Sequence, residues 1–300
     1  MKKSVCAVVV TYNRCALLRE CISALECYAS DLDRIIVINN NSSDGTEEYL
    51  KNLEKINKKI EVLDLKENLG GAGGFNAGIK LAMQYNHDYI WVMDDDTIVQ
   101  EDSLNKLVNN SILKKEKISF VCSNVLWTDG SICLMNKPKL HKEWSNDIKY
   151  NAIKLESTSF VSILINTDCI RNIGYPIKDF FIWGDDYEFT KRATKQFGPG
   201  YLITDSLVVH KMNKNTNANI LVEDKERINR YYYEFRNKLF ISKKNGFKEV
   251  VKYNKYVITT LAKVILINNS YKFKKISIIL KGVCSGIRFN PTIEKHSIES

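Results

Sequence analysis

The chain has 300 residues, 44% of them hydrophobic and 26% charged, with only four Pro and 14 Gly, which is enough for a sizeable core and excludes disordered, collagen-like and disulfide-scaffold classes. The formal net charge of +9 is unevenly placed: residues 1–210 hold 25 Lys and Arg against 28 Asp and Glu, whereas residues 211–300 hold 19 against 7. A slightly acidic body is thus followed by a C-terminal segment of net charge +12.

In chain order, residues 5–10 form a short continuous apolar run, as expected of a strand covered on both faces. Leu17, Leu18, Cys21, Ile22 and Leu25 then fall at helical spacing, and residues 34–39 repeat the buried-strand pattern. A helix is expected from about 46 to 55, a strand over 60–65, a helix from about 73 to 85 and a strand over 89–93. Four alternations of strand and helix imply right-handed crossovers and a parallel sheet, with any ligand beyond the carboxyl ends of the strands. From about 118 the alternation loosens. Strand-like stretches at 119–127, 157–166 and 201–209 surround a Lys- and Asn-rich loop at 136–150 and a short helix near 167–173. Beyond His210, a polar segment at 211–219 leads into helical patterns from about 225 to the end. The apolar run at the N-terminus stops at the polar Thr11-Tyr-Asn-Arg14, too soon for a signal peptide, and the eight cysteines form no CxxC pair, so reduced, buried thiols of a cytosolic protein are expected.

Asp94-Asp-Asp96 follows an apolar strand directly. Residues i and i+2 at a strand end project to the same side, so Asp94 and Asp96 can share a divalent cation while Asp95 points elsewhere. Carboxylate ligands favour Mg²⁺ or Mn²⁺, which usually bridge to phosphate. The bland alternative is a solvated loop capping the helix expected at 103–113. A second acidic cluster, Asp185-Asp-Tyr-Glu188, opens a helix after the aromatic run Phe180-Phe-Ile-Trp183. The helix dipole accounts for some of these acids, but apolar walls also raise a carboxylate's pKa and suit it to act as a general base. The loop Asn68-Leu-Gly-Gly-Ala-Gly-Gly-Phe-Asn-Ala-Gly78 matches neither the Walker A nor the dinucleotide pattern; its glycines would admit phosphate or sugar oxygens at a helix N-terminus, or serve only close helix packing. His210 ends an apolar run and carries no assignment by itself.

Together these residues resemble the inverting family 2 glycosyltransferases of the GT-A fold. The likeness rests on Val8-Val-Val-Thr-Tyr-Asn-Arg14, Val37-Ile-Asn-Asn-Asn-Ser-Ser-Asp-Gly-Thr46, the Asn68 to Gly78 loop, the Asp94-x-Asp96 pair and Asp185-Asp186, in family order over about residues 4–212. The wording of the glycine loop, the triple Asp and the later His are most like the galactofuranosyltransferase branch, with rhamnosyltransferases as neighbours. The resemblance implies an α/β GT-A domain at 1–212, with a mostly parallel central sheet flanked by helices, and a basic helical appendage at 213–300. It further implies that Thr11, Asn13 and Asn40 or Asn41 line the base and ribose of a nucleotide-sugar donor, carrying UDP ahead of dTDP. Asp95 and the glycine loop, through Asn68, Gly70, Gly71 and Asn76, would lie along the sugar and diphosphate. Asp94, Asp96 and His210 would hold Mn²⁺ or Mg²⁺, with Asp94 also lying on the donor. Asp186 would be the general base, with Asp185 beside it as a second catalytic carboxylate and Trp183 shaping the acceptor pocket. Where many family members carry Asp, residues 39–41 are all Asn, so the base contact would be a neutral amide.

Between 247 and 289 apolar residues alternate with lysines, and no uncharged stretch exceeds residues 264–271, which argues against a spanning helix. Basic amphipathic helices suit a membrane surface, so a peripheral position at the inner face of the cell membrane and a glycan or polyprenyl-linked acceptor are expected. The competing readings are a nucleotide-sugar-binding protein without catalysis, a metal-dependent phosphodiesterase or nuclease, and a nucleic-acid-binding module. The last is disfavoured because no recognised binding module matches.

Overall fold

The computed structural model describes residues 2–115, 117–267 and 269–296. Its first hundred residues alternate as expected: β1 (Val5–Thr11), α1 (Cys15–Tyr28), β2 (Arg34–Asn39), α2 (Thr46–Ile56), β3 (Ile60–Asp64), α3 (Gly70–Ala82) and β4 (Tyr89–Asp94). β1 lies in parallel between β2 and β4, and β2 pairs in parallel with β3. The period of two along β1 divides the core: Val5, Ala7 and Val9 join Leu18, Ile22 and Leu25 of α1, while Cys6, Val8 and Val10 join Phe75 and Ile79 of α3. α3 starts at Gly70 instead of Gly73, because glycines contribute nothing to the apolar periodicity from which its start was read. Gly74 and Gly78 let α3 lie directly on β1; a Cβ there would come within 2.5 Å of Val10 and 2.4 Å of Val8.

The second half adds β5 (Thr97–Val99), α4 (Ser103–Val108), β6 (Phe120–Leu126), β7 (Lys139–Leu140), β8 (Ala152–Ser157), β9 (Ile163–Asn166), α5 (Thr167–Ile173), α6 (Asp185–Gln196) and β10 (Gly200–His210). The sheet order is β3-β2-β1-β4-β9-β6-β10-β8-β7, with β5 on β10. β9 runs antiparallel between β4 and β6, while β6 and β10 are parallel. The stretch expected as one strand at 157–166 is divided between β8 and β9. Phe160 turns out of the sheet there to meet Phe75 and Phe189 edge-on at 5.1 and 5.7 Å.

The basic C-terminal region starts its long helices at Tyr231, six residues later than expected: α7 (Tyr231–Asn245), α8 (Phe247–Leu266) and α9 (Lys272–Arg288), then an irregular tail to 296. The three helices share a core of Tyr231, Phe235, Leu239, Tyr253, Val257, Val264 and Ile279. Gly282 and Gly286 bring α9 onto the backbone of α7, where a Cβ would sit 2.7 Å from the Tyr232 carbonyl and 3.1 Å from that of Arg236. The tail returns to the body, with Phe289 against Phe180 and Phe240 and Glu294 at α3. Among the described residues no helix is long and apolar enough to cross a membrane. All eight cysteines are free; Cys27 and Cys284 are exposed, contrary to the expectation of uniform burial, since both stand on the solvent faces of their helices.

Candidate active site

Asp94 is the last residue of β4 and continues the alternation of Ile90 and Val92, toward the α3 side; Asp95 turns to the α1 side. There Asp95 accepts hydrogen bonds from Thr11 Oγ1 at 2.7 Å and Arg14 Nη1 at 3.2 Å. The antiparallel pairing of β5 with β10 places His210 opposite Thr97 and therefore beside Asp96. One oxygen each from Asp94 and Asp96 and a ring nitrogen of His210 lie within 4.8 Å of one another. His210 is held from both sides, Nε2 at 2.9 Å from Asp96 Oδ1 and Nδ1 at 2.8 Å from Asn136 Oδ1, and Arg14 Nη1 donates to Asp96 Oδ2 at 2.7 Å.

The protonation pattern follows from these contacts. Burial pushes Asp94 up to about 7, reinforced by the Asp96 charge and opposed by His210 and Arg14. Burial pushes Asp95 up to about 6 despite the Arg14 charge. Burial works against an ionised Asp96 as well, but its bond to His210 and the charges of His210 and Arg14 hold it below the ordinary carboxylate value. Burial also disfavours a charged His210; its bonds to Asp96 and Cys133 and the charges of Asp96 and Asp94 outweigh this and raise it to about 10. Asp96 and His210 therefore form an ion pair next to a carboxyl that is half-protonated near neutrality.

The second acidic cluster is delivered by a sharply turned aromatic loop, with positive φ at Phe181, Trp183 and Gly184 (63°, 65° and 91°), directly before α6. Asp185 is buried, and burial, the Asp186 charge and the Asp94 charge raise its pKa well above the usual range. Asp186 is less enclosed; burial raises it to about 6 while the Tyr187 N–H, 2.6 Å from Oδ1, favours its ionised form. The loop is held from behind by α7: Asn237 Nδ2 donates to the carbonyls of Phe180, Ile182 and Trp183 at 2.9, 3.1 and 2.9 Å, and Arg236 to those of Asp179 and Phe180. The Trp183 ring meets Tyr231 of α7 edge-on at 5.1 Å.

Not every expected donor contact faces this cleft. Thr11 is buried on the α1 face of β1 and orients Asp95, instead of lining a base pocket. Asn40 continues the Ile36 and Ile38 face of β2 toward α3; it is buried, accepting from Leu69 N at 2.8 Å and donating to the Gly70 carbonyl at 3.0 Å. Asn76 is buried too, donating to the Pro176 carbonyl at 2.7 Å and Glu294 at 3.0 Å, because six residues into a helix is about 9 Å from its N-terminus and on another face. Gly70 gives its missing side chain to the close approach of Phe181, whose carbonyl a Cβ would meet at 2.0 Å. The residues left open are Asn13 and Asn41, both exposed and left-handed in backbone conformation (φ 53° and 61°), with Gly71 and the half-buried Asn68. Asn13 Oδ1 accepts from Ser43 N at 2.7 Å, joining the loops after β1 and β2.

Arg14, Asn136 and Asn237 were not singled out from sequence. Arg14 adjoins a recognised motif and is a cation in a chain with three consecutive aspartates, which was a usable signal. Asn136 and Asn237 stand in stretches without pattern, and only the fold brings them to the site.

Comparison with known proteins agrees with this geometry. The family described as "Glycosyl transferase family 2" matches residues 6–171, just over half of the chain. A poly-beta-1,6-N-acetyl-D-glucosamine synthase of Staphylococcus aureus (strain COL) is 34% identical over 103 residues, which is 34% of this chain and 24% of that one. Galactofuranosyltransferase GlfT1 of Mycolicibacterium smegmatis is 24% identical over 208 residues, covering 64% of this chain and 65% of its own, so the chain spans less than two thirds of either relative. The crystal structure of GalNAc-T7 with UDP, GalNAc and Mn²⁺ superimposes with a TM-score of 0.59 at 13% identity, over 90% of this chain and 58% of that one, and shares the GT-A fold.

Proposed function

The chain belongs to glycosyl transferase family 2, and from that premise we propose that it moves a hexosyl unit from a nucleotide diphosphate sugar to a glycan or lipid-linked glycan acceptor in cell-surface polysaccharide synthesis, with inversion at the anomeric carbon. Galactofuranose and rhamnose are the favoured sugars, the first supported by the name of GlfT1. UDP ranks ahead of dTDP, supported by the UDP in GalNAc-T7. The observation that carries the reading is the convergence of Asp94, Asp96 and His210 within 4.8 Å at the carboxyl edge of the parallel strands, with Asp185 close enough to Asp94 to feel its charge.

Two carboxylates and an imidazole suit Mn²⁺ or Mg²⁺ with water and phosphate oxygens completing the shell, so Asp94, Asp96 and His210 would hold the ion. When bound, it supplies Lewis-acid stabilisation of the charge gathering on the departing diphosphate. Asn13, Asn41, Asn68 and Gly71 would contact the nucleotide and diphosphate from the open side, and Arg14 would turn with Asp95 toward the donor. Asp186, raised to about 6, is ionised at neutral pH and basic enough to take the acceptor hydroxyl proton as its oxygen bonds the anomeric carbon and the bond to diphosphate breaks. Asp185 would keep a protonated carboxyl beside it, and Trp183 would wall the acceptor side. The basic C-terminal helices would hold the protein at the cytoplasmic membrane face, where a polyprenyl-linked acceptor lies.

The test is a thermal-shift and donor-hydrolysis panel of UDP- and dTDP-sugars with Mn²⁺, including UDP-galactofuranose and dTDP-rhamnose. Stabilisation by UDP compounds that disappears with chelator is expected; no response to any nucleotide sugar would overturn the reading.

A further inference from the structure

α8 and α9 each bury one narrow face and leave a second apolar face in solvent. On α8 the core side is Tyr253, Val257 and Val264; on α9 it is Lys275, Ile279, Gly282 and Gly286. Rotated by roughly 120° from that side at 100° per residue, α8 shows Val251, Ile258 and Ile265, which are 50%, 68% and 55% exposed. α9 repeats the arrangement with Phe273, Leu280 and Ile287, 91%, 47% and 63% exposed. Both triplets recur every seven residues, so each makes a continuous stripe along its helix. Beyond each stripe runs a basic line: Lys248, Lys252 and Lys255 on α8, and Lys274, Lys281 and Arg288, again seven apart, on α9. Between 247 and 288 there are nine Lys or Arg and a single acid, Glu249. The interior of the bundle therefore accounts for neither the stripes nor the charge.

We propose that the outer stripes of α8 and α9, with their flanking basic lines, form a docking surface for an anionic lipid bilayer. An apolar band bordered on one side by cations matches the division between acyl chains and anionic headgroups, and lies in the interface without crossing it. A second copy of this chain fits the surface poorly, because it would bring a segment of nine cations and one acid against its equal. The inference gives a place to the membrane contact proposed above and rests on that part of the reading; it is independent of donor and metal.

Cosedimentation of the full chain with neutral phosphatidylcholine vesicles and with vesicles enriched in phosphatidylglycerol, at low and high salt, tests it. Binding to the anionic vesicles only, weakened by salt, is expected. The double variant Ile258→Asp with Phe273→Asp should weaken it about tenfold or more, and Lys281→Glu with Arg288→Glu should act likewise, with unchanged melting temperature and unchanged donor hydrolysis in vesicle-free solution. If the first pair lowers the melting temperature, the charge-reversal pair decides alone. No binding by the parent protein, undiminished binding by the variants, or a parent dimer that the variants split without any vesicle binding would each overturn the proposal. Donor hydrolysis measured in the same samples keeps failure of the glycosyltransferase reading separate from failure of the docking surface.

Discussion

Asp185 and Asp186 are neighbours in sequence with different surroundings: the first is buried and feels the charges of Asp186 and Asp94, whereas the second is half-buried, with its carboxyl pushed up to about 6 by burial. Asp186→Asn removes the proton acceptor while leaving the donor side intact, so transfer should fall by about a thousandfold or more, with donor-induced thermal stabilisation retained. A raised carboxyl pKa also sets the sign of the pH profile: the base is lost as it protonates, so kcat/KM in the parent should decline as pH falls through about 6. Retention of more than a few per cent of activity by the variant would refute the assignment of the base. At this scale the period of two is a good guide, since it separates Asp95 from Asp94 and Asp96. The same rule, applied to Thr11 and Asn40, turns both inward, where they are buried and bonded to Asp95 and to the Gly70 carbonyl.

Among the elements, the loop at 179–184 sets the position of both acidic residues at the start of α6. Two non-glycine residues at positive φ, Phe181 and Trp183 on either side of Ile182, are unfavourable without outside support, and α7 provides it through Arg236 and through the amide of Asn237, which serves three carbonyls. Asn237→Ala should remove the bonds to the Ile182 and Trp183 carbonyls, while Phe180 keeps those from Arg236 and Ile182, and lower stability by about 2–4 kcal/mol, visible as a reduced denaturant midpoint. Transfer should fall further than donor hydrolysis, because the displaced loop carries Trp183, the proposed wall of the acceptor side. Equal losses in both reactions would show that α7 stabilises the whole site indiscriminately. Elements with strong periodicity were legible: β2 has the limits read from sequence, and α5 spans the expected residues. β5, the three-residue strand that sets His210 beside Asp96, was not, because so short a segment has no period and is defined only by its partner.

In the whole molecule the C-terminal tail closes back on the first half. Glu294 accepts from Asn76 and pairs with Lys80 of α3 and Lys178 of the loop before the aromatic run. Burial alone would raise its pKa, but bonds from Lys80, Lys178 and Asn76 and the Lys80 charge hold it down at about 2. With the folded value below the unfolded one of about 4.5, its contribution is complete above that pH and is lost as pH falls through about 2. Glu294→Gln should be less stable than the parent at neutral pH, and the gap in urea midpoint should narrow below pH 4.5 or so; a gap independent of pH would discount the charge. The sequence showed a body and a basic end, but not their interlocking, because each of these Glu294 contacts joins residues more than a hundred positions apart.

That interlocking imposes an order in time. The carboxylates that are proposed to do the chemistry are synthesised by residue 186, whereas Asn237 and Glu294, which hold their loop and its support, come later. At about 5–20 residues per second, a ribosome needs on the order of ten seconds to add that stretch. The loop before those carboxylates can therefore be braced only after the last helices have been made and have docked.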